Sequence, residues 1–130
     1  ARRSGDPWEL AARVVGPELK LITVTLGKRG AAYVAGPGFT PTPRAWPELR
    51  DRVGTTGQPR SGRVEPEEAP EHGDPTGCGD VWGATFFSRL LAGEDLDSAV
   101  AVANDRAARN VRHRGADGLV DHLRGRLTRP

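Results

Sequence analysis

Two short apolar runs separated by a glycine-bounded turn most strongly constrain how this chain folds. Residues 19–26 read LKLITVTL, and residues 31–36 read AAYVAG. A short run rich in Leu, Ile, Val and Thr is typical of a buried strand. The segment between the runs, Gly27-Lys28-Arg29-Gly30, predicts a turn. We therefore expect two consecutive strands joined by this turn.

Helical patterns lie on both sides of this pair of strands. Asp6-Pro7-Trp8-Glu9 has a capping acid, a proline suited to the first helical position and a glutamate three residues after the cap. It predicts a helix that runs to about Val15 and ends at Gly16-Pro17. The expected buried face of this helix consists of Trp8, Ala11, Ala12 and Val15.

Two more helices are predicted after residue 74, followed by a short one, roughly Val120 to Leu127. The first runs from about Asp80 to Leu91, and the second starts near Asp95 or Asp97. The apolar positions expected to face the core have helical spacing in both. They are Val81, Ala84, Phe87, Leu90 and Leu91 in the first helix, and Val100, Ala103, Ala107 and Val111 in the second.

Residues 37–73 have a different character. They are rich in Pro, Gly and charged side chains and show no clear period. This composition predicts a long, partly extended surface loop within one domain of 130 residues, with a short strand near Gly62 to Val64.

Bulk composition excludes several classes of protein. One cysteine permits no internal disulfide and fits the reducing cytoplasm. The net charge of +2 is too small to indicate nucleic-acid binding, although 19 basic residues are present. No apolar run approaches the ~20 residues of a membrane helix. We therefore expect a cytoplasmic protein with no nucleic-acid or membrane partner.

The segment Asp-Pro-Thr-Gly-Cys-Gly-Asp at residues 74–80 is the strongest candidate for a site. The first amides of a helix lack intrahelical acceptors and carry partial positive charge, and glycines let them approach an anion closely. Together these features favour phosphate binding. Asp80, at the edge of such a site, could accept a proton from an attacking hydroxyl. From these residues alone, the alternative that Asp80 only caps its helix is equally open.

The same segment, followed by Val-Trp-Gly-Ala-Thr-Phe, resembles the second conserved motif of the PfkB, or ribokinase-like, carbohydrate kinases. Thr25 to Gly30 resembles the strand-end nucleotide loop of that family, and the two motifs occur in the family's order. The resemblance covers most of residues 6–125, with residues 37–73 the poorest match. It implies an α/β protein with a three-layer α/β/α fold, of which this chain would be the C-terminal portion.

The resemblance also implies roles for individual residues. Asp80 would be the catalytic base in phosphoryl transfer from ATP to a hydroxyl of a sugar-like substrate, and magnesium would arrive with ATP. The anion hole would consist of the amides of Gly77, Cys78, Gly79 and Asp80. The nucleotide would be bordered by Thr25, Gly27, Lys28, Gly30 and Asn104. A monovalent cation, usually potassium, would be held by Asp74 and Thr76 with the backbone of Asn110, His113, Gly115 and Leu119.

Other interpretations stay open at this stage. Nothing in the chain matches the family's N-terminal sugar-binding part, so a homodimer or a separate N-terminal half is an expected partner, and the sugar cannot be named. The chain could instead be a non-catalytic fragment or partner subunit that binds nucleotide or docks on another chain. Cys78 at a helix start could also be a nucleophile. The three histidines lack metal-ligand spacing and are expected at the surface.

Overall fold

The computed structural model describes residues 7–16, 18–41, 58–68 and 70–112. It contains three helices, α1 (Pro7–Val14), α2 (Cys78–Leu91) and α3 (Leu96–Asn110). Its three strands are β1 (Leu21–Thr25), β2 (Ala31–Ala35) and β3 (Arg60–Val64). Several predicted features lie outside the described residues, namely the Asp6 cap, the last helix, His113, Gly115, Leu119 and His122.

The strands form one antiparallel sheet in the order β1-β2-β3. Leu21 pairs with Ala35 at one end of the β1–β2 hairpin, and Thr25 pairs with Ala31 at the other. The two predicted strands are thus confirmed with slightly shorter bounds. The strand expected near Gly62 to Val64 is also present and starts at Arg60, so this part of the segment 37–73 belongs to the sheet and not to a loop.

Helices pack on both faces of the sheet, because successive strand residues point to opposite sides. One face of β2 contributes Ala31, Tyr33 and Ala35 to the larger core cluster, which α2 and α3 cover. The opposite face contributes Val34, which packs with Ala11 and Val15 from the α1 segment. The described chain is therefore a three-layer α/β/α arrangement around a buried central strand.

The apolar face predicted for α2 is partly wrong. Val81 and Leu90 are buried as expected, but Phe87 is 56% exposed and Leu91 is 48% exposed. Trp82 and Phe86 are buried instead, with their rings stacked at 4.9 Å between centroids. The sequence carries adjacent apolar pairs at 86–87 and 90–91, so two helical stripes fit it almost equally. Packing against α3 and the sheet selects the stripe that contains Trp82.

In α1 the prediction is also half right, since Ala11 and Val15 are buried while Trp8 and Ala12 are exposed. The buried face predicted for the second of the later helices agrees better with the structure, since Val100 and Ala103 are fully buried.

That helix, α3, is capped by Asp95, whose Oδ1 accepts a hydrogen bond from the Ser98 amide at 3.0 Å. Hydrogen bonds from the Ser98 side chain and amide hold the pKa of Asp95 below its usual value.

No helix within the described ranges is long and apolar enough to span a bilayer.

Candidate functional site

A pocket of about 360 Å³ opens where the β1–β2 turn, the start of α2 and the middle of α3 meet. It brings together seven of the residues predicted from the sequence, although they come from three distant segments of the chain. These seven are Thr25, Gly27, Lys28, Gly30, Cys78, Gly79 and Asn104. Most of the remaining wall is apolar, with Trp82, Ala107 and Val111 on the helical side and Pro66 and Pro70 opposite. An apolar cleft with a few polar groups is the usual form of a small-molecule site.

The turn before α2 leaves several backbone amides available to an anion. Gly77 is the N-cap and has a left-handed backbone, with φ 78°, that glycine adopts without strain. No side chain caps the helix. The Cys78 amide donates to the carbonyl of Pro75 at 3.1 Å. The amides of Gly77, Gly79 and Asp80 have no acceptor among the described residues, so three of the four predicted amides are free to bind a ligand.

Asp80 is the third residue of α2 and is exposed to solvent. It is not the cap of its helix, because Gly77 occupies that position and no side chain bonds to the first amides. The carboxylate has no hydrogen-bond partner in the described part of the chain. It follows Gly79, which lines the pocket, but does not line the pocket itself. The exposed carboxylate could therefore accept a proton from a molecule bound beside the pocket.

Asn104 is held in place by two hydrogen bonds. It is only 5% exposed. Its Oδ1 accepts from the indole Nε1 of Trp82 at 2.9 Å, and its Nδ2 donates to the carbonyl oxygen of Val64 at 2.9 Å. Trp82 lies two positions after the segment at residues 74–80, and the sequence motifs give it no role of its own. The structure shows that Trp82 also lines the pocket and orients a second residue there.

The β1–β2 turn packs closely against the Val64 carbonyl, which also accepts the hydrogen bond from Asn104. Residues Gly27–Arg29 form one turn of 3₁₀ helix, after which Gly30 has φ 82°. A Cβ at Gly30 would lie 2.1 Å from the Val64 carbonyl oxygen. Only glycine therefore permits this loop to approach the end of β3, which explains why the predicted nucleotide loop requires glycine at position 30.

The described residues at 66–68 and 70–73 supply a second part of the pocket wall, which the sequence did not reveal. Glu68, Glu71 and His72 are exposed and line the pocket. Lys28 Nζ donates to the Glu71 carbonyl at 3.1 Å, and Arg112 forms an ion pair with Glu68 at 3.2 Å. This segment has no hydrophobic period and no regular structure, so no sequence signal could have placed it at the site.

Among the residues predicted for a monovalent cation, the described part of the chain contains Asp74, Thr76 and Asn110, and these three do not line the pocket. Asp74 Oδ1 accepts a hydrogen bond from the Thr76 amide at 2.9 Å. Asn110 is completely buried, and its Nδ2 donates to the Thr76 carbonyl at 3.3 Å. Its Oδ1 has no partner among the described atoms. The prediction used only the backbone of Asn110, and the anchoring role of its side chain was missed.

Cys78 is half-buried and lines the pocket. Its Sγ lies 3.6 Å from Asn110 Nδ2, and no hydrogen bond connects it with His72, which lines the same pocket. A cysteine nucleophile activated by histidine is thus not supported by the contacts in the described part of the chain.

Within the described ranges, no group of three or more His, Cys, Asp or Glu side chains is arranged to hold a metal ion. Magnesium usually keeps several waters and binds through one or two carboxylates together with substrate phosphates. A magnesium ion that arrives with a nucleotide would therefore not require a separate cage of protein side chains.

Comparison with known proteins identifies the family. The model of the pfkB family carbohydrate kinases matches residues 6–122. No curated protein and no solved structure gives a significant match. Because the match covers most of the chain, the chain belongs to the pfkB family of carbohydrate kinases, which are phosphotransferases with an α/β fold of the ribokinase type.

Proposed function

We propose that this member of the pfkB family takes part in phosphoryl transfer from ATP to a hydroxyl of a sugar or related small molecule. The observation that carries the proposal is the pocket itself. Residues from two predicted motifs and from the middle of α3 line one cleft, although more than 70 positions separate the first from the last. Such convergence supports a common ligand better than any single motif does.

The lining of the pocket includes polar groups and apolar side chains that would suit the phosphates and the base of a nucleotide. The anion-binding turn at Cys78 and Gly79 lies on one part of the wall, with Lys28 and Gly27 also present. Free amides at a helix start, a nearby ammonium group and flexible glycines stabilise phosphate oxygens. Apolar side chains such as Trp82, Ala107 and Val111 suit the flat faces of a base. ATP would bind with its magnesium ion, which shields the phosphate charge.

Asp80 is the proposed general base. The substrate hydroxyl would lose its proton to the carboxylate as its oxygen forms a bond to the γ-phosphorus. The bond from that phosphorus to the β,γ-bridging oxygen would break, and ADP would leave. The amides of Gly77, Gly79 and Asp80 would hydrogen-bond the phosphoryl oxygens, where negative charge is spread in the transition state. Asp80 suits the role because it is exposed and has no competing hydrogen bond in the described chain.

The proposed monovalent-cation site consists of Asp74, Thr76 and Asn110 with residues outside the described ranges. The unpartnered Oδ1 of Asn110 supports an additional polar ligand near Thr76. A cation there would act by holding the turn at residues 75–79 in the conformation that frees its amides.

A second candidate is a non-catalytic nucleotide-binding subunit that docks on another chain, including a second copy. The observation that favours it is the exposure of large apolar side chains on α1, on α2, and on β1 with the residues just before it. These are Trp8, Leu10, Val14, Leu19, Val24, Phe87 and Leu91. Surfaces of this kind are common where proteins associate.

The D80N variant tests the proposal. Asparagine keeps the size of the side chain but cannot accept the proton, so turnover should fall by about 10²–10⁴-fold while ATP affinity stays nearly constant. The measurement is ADP release with a panel of sugars, together with MgATP binding. D105N, which changes another exposed helical carboxylate, is the matched control and should behave like the wild type.

Two results would contradict parts of this account. Turnover of D80N close to that of the wild type would remove Asp80 from the mechanism. Nucleotide binding by the wild type without phosphorylation of any sugar would instead favour the non-catalytic subunit.

A further inference from the structure

We infer that Trp82 is a positioning residue that sets which purine nucleotide the pocket accepts, by fixing the orientation of the Asn104 amide. The inference rests on the proposed nucleotide site. Nothing in the two sequence motifs assigns this role to Trp82, which comes after the anion-binding turn and is buried in the core.

The hydrogen-bond chemistry of the two partners permits one orientation of the amide. An indole Nε1 can only donate, and a backbone carbonyl can only accept. Asn104 must therefore direct its oxygen to Trp82 and its NH₂ group to Val64, at 2.9 Å in both cases. A rotated amide would bring two donors together at one end and two acceptors at the other, and both would be buried without partners.

The partners themselves are held firmly. Trp82 is 6% exposed and stacks on Phe86, with an angle of 18° between the rings. The Val64 carbonyl lies at the end of β3, against which Gly30 packs so closely that a Cβ would overlap it. Trp82, Asn104 and Val64 thus connect α2, α3 and β3 with the turn that bears the nucleotide loop.

An amide with a fixed orientation distinguishes between the two purines. Adenine presents a donor at its 6-position, whereas guanine presents an acceptor there. The Asn104 amide has one hydrogen and one lone pair left for a ligand after its two internal bonds. Asn104 lines the pocket, so in the proposed complex these two groups would be presented to a base in a fixed order. An amide that could rotate would accommodate either base.

The W82F variant tests the inference, because phenylalanine keeps an aromatic ring beside Phe86 and lacks the donor. The dissociation constants of MgATP and MgGTP are measured by calorimetry on the full chain. We expect the wild type to prefer one of them by about tenfold or more, since a mismatched buried hydrogen bond is costly. In W82F the preference should fall by about threefold to tenfold, the value of one such bond.

F86L is the matched control. It removes the stacked partner of Trp82 and does not line the pocket, so it should lower the melting temperature while leaving the ATP-to-GTP ratio unchanged. A purely structural role for Trp82 predicts that W82F and F86L behave alike in both measurements, and that result would overturn the inference. An unchanged ratio in W82F, or a wild type without preference, would do the same.

A second measurement does not require W82F to fold. The indole N–H resonances of the wild type are recorded by nitrogen-edited NMR, with those of Trp8 and Trp46 assigned from W8F and W46F. The remaining resonance, from Trp82, should shift saturably as MgATP is added. A saturable calorimetric signal for MgATP without a shift of this resonance would overturn the inference alone. No binding of either nucleotide would overturn the proposed function as well.

Discussion

The two walls of the pocket are built in different ways. The helical wall contains Trp82 and Asn104, which are buried and joined by a hydrogen bond in the core. The second wall, called the loop wall, consists of residues 66–68 and 70–73. It contains exposed side chains, and its ion pair between Glu68 and Arg112 is open to solvent. Exposed ion pairs contribute little to stability, whereas a buried, fully satisfied network fixes its members. If the pocket binds a nucleotide as proposed, we expect recognition of the base to depend on the helical wall, while the loop wall mainly covers the ligand.

The loop wall is nevertheless anchored firmly at one point. Gly73 has φ 141°, and a Cβ there would lie 2.3 Å from the Val111 carbonyl oxygen. The next amide, that of Asp74, donates to the same carbonyl at 3.1 Å. The end of the loop wall is therefore attached to the end of α3, just before the anion-binding turn.

The largest effect on stability is expected from G30A and G73A, which alter one anchor of each wall. Both combine a strained backbone with overlap against a carbonyl that cannot move freely, so each should lower the free energy of unfolding by roughly 2–6 kcal/mol. Denaturant unfolding measures this. G83A is the control, because a Cβ at that helical position meets no atom within 4 Å. It should raise stability by about 0.5–1 kcal/mol.

If G73A were tolerated while G30A was not, the contact of Gly73 with Val111 would not anchor the loop wall. The two walls would then differ even more in how firmly they are held.

An intermediate effect is expected from N110A. Asn110 is buried beside the turn, and its Nδ2 donates to the Thr76 carbonyl. Loss of this bond leaves a carbonyl less well satisfied and a small cavity, although the unpartnered Oδ1 is removed at the same time. The free energy of unfolding should fall by about 1–3 kcal/mol. MgATP should also bind more weakly, because the turn before α2 is held less firmly. If N110A lost stability but bound MgATP as tightly as the wild type, Asn110 would not be needed to hold the turn before α2 in its binding conformation.

The smallest effect is expected from E68Q, in the exposed part of the loop wall. It removes the ion pair with Arg112, in which the two side chains are 64% and 81% exposed. Stability should change by less than about 0.5 kcal/mol, and the melting temperature at low and high salt measures this. A large loss at low salt would mean that the loop wall is held by charge and that the two walls differ less than the contacts indicate.

The sequence predicted most of the elements that position the site. The short apolar runs, the glycine turn and the helical patterns within residues 7–112 are local signals, and each of them leads to an element in the described chain. Of the predicted acidic caps, the one at Asp95 is present. The face of α2 was less predictable, because neighbouring apolar residues at 86–87 and 90–91 give two overlapping stripes. Which stripe becomes buried depends on the partner surface, and periodicity alone carries no information about that surface.

Some features of the candidate site could likewise be predicted from the sequence, and others could not. Glycines at 30 and 77 were predictable because a positive φ or a close approach requires them there. The bond from Trp82 to Asn104 connects residues 22 positions apart, and that from Asn104 to Val64 connects residues 40 positions apart. Contacts at such separations follow from the packed fold. The loop wall at residues 66–68 and 70–73 is absent from the prediction for the same reason.

The central claim, that the pocket binds a nucleotide through the free amides of the turn before α2, is tested most directly by thermal unfolding of the full chain with increasing MgATP. A ligand that binds only the folded state adds stability that grows with its concentration, by about 2.7 kcal/mol at 100 times the dissociation constant. The account predicts a progressive rise in melting temperature with MgATP and a much smaller rise with adenosine, which lacks phosphates. A cooperative melt that MgATP does not shift, or that adenosine shifts equally, would contradict it.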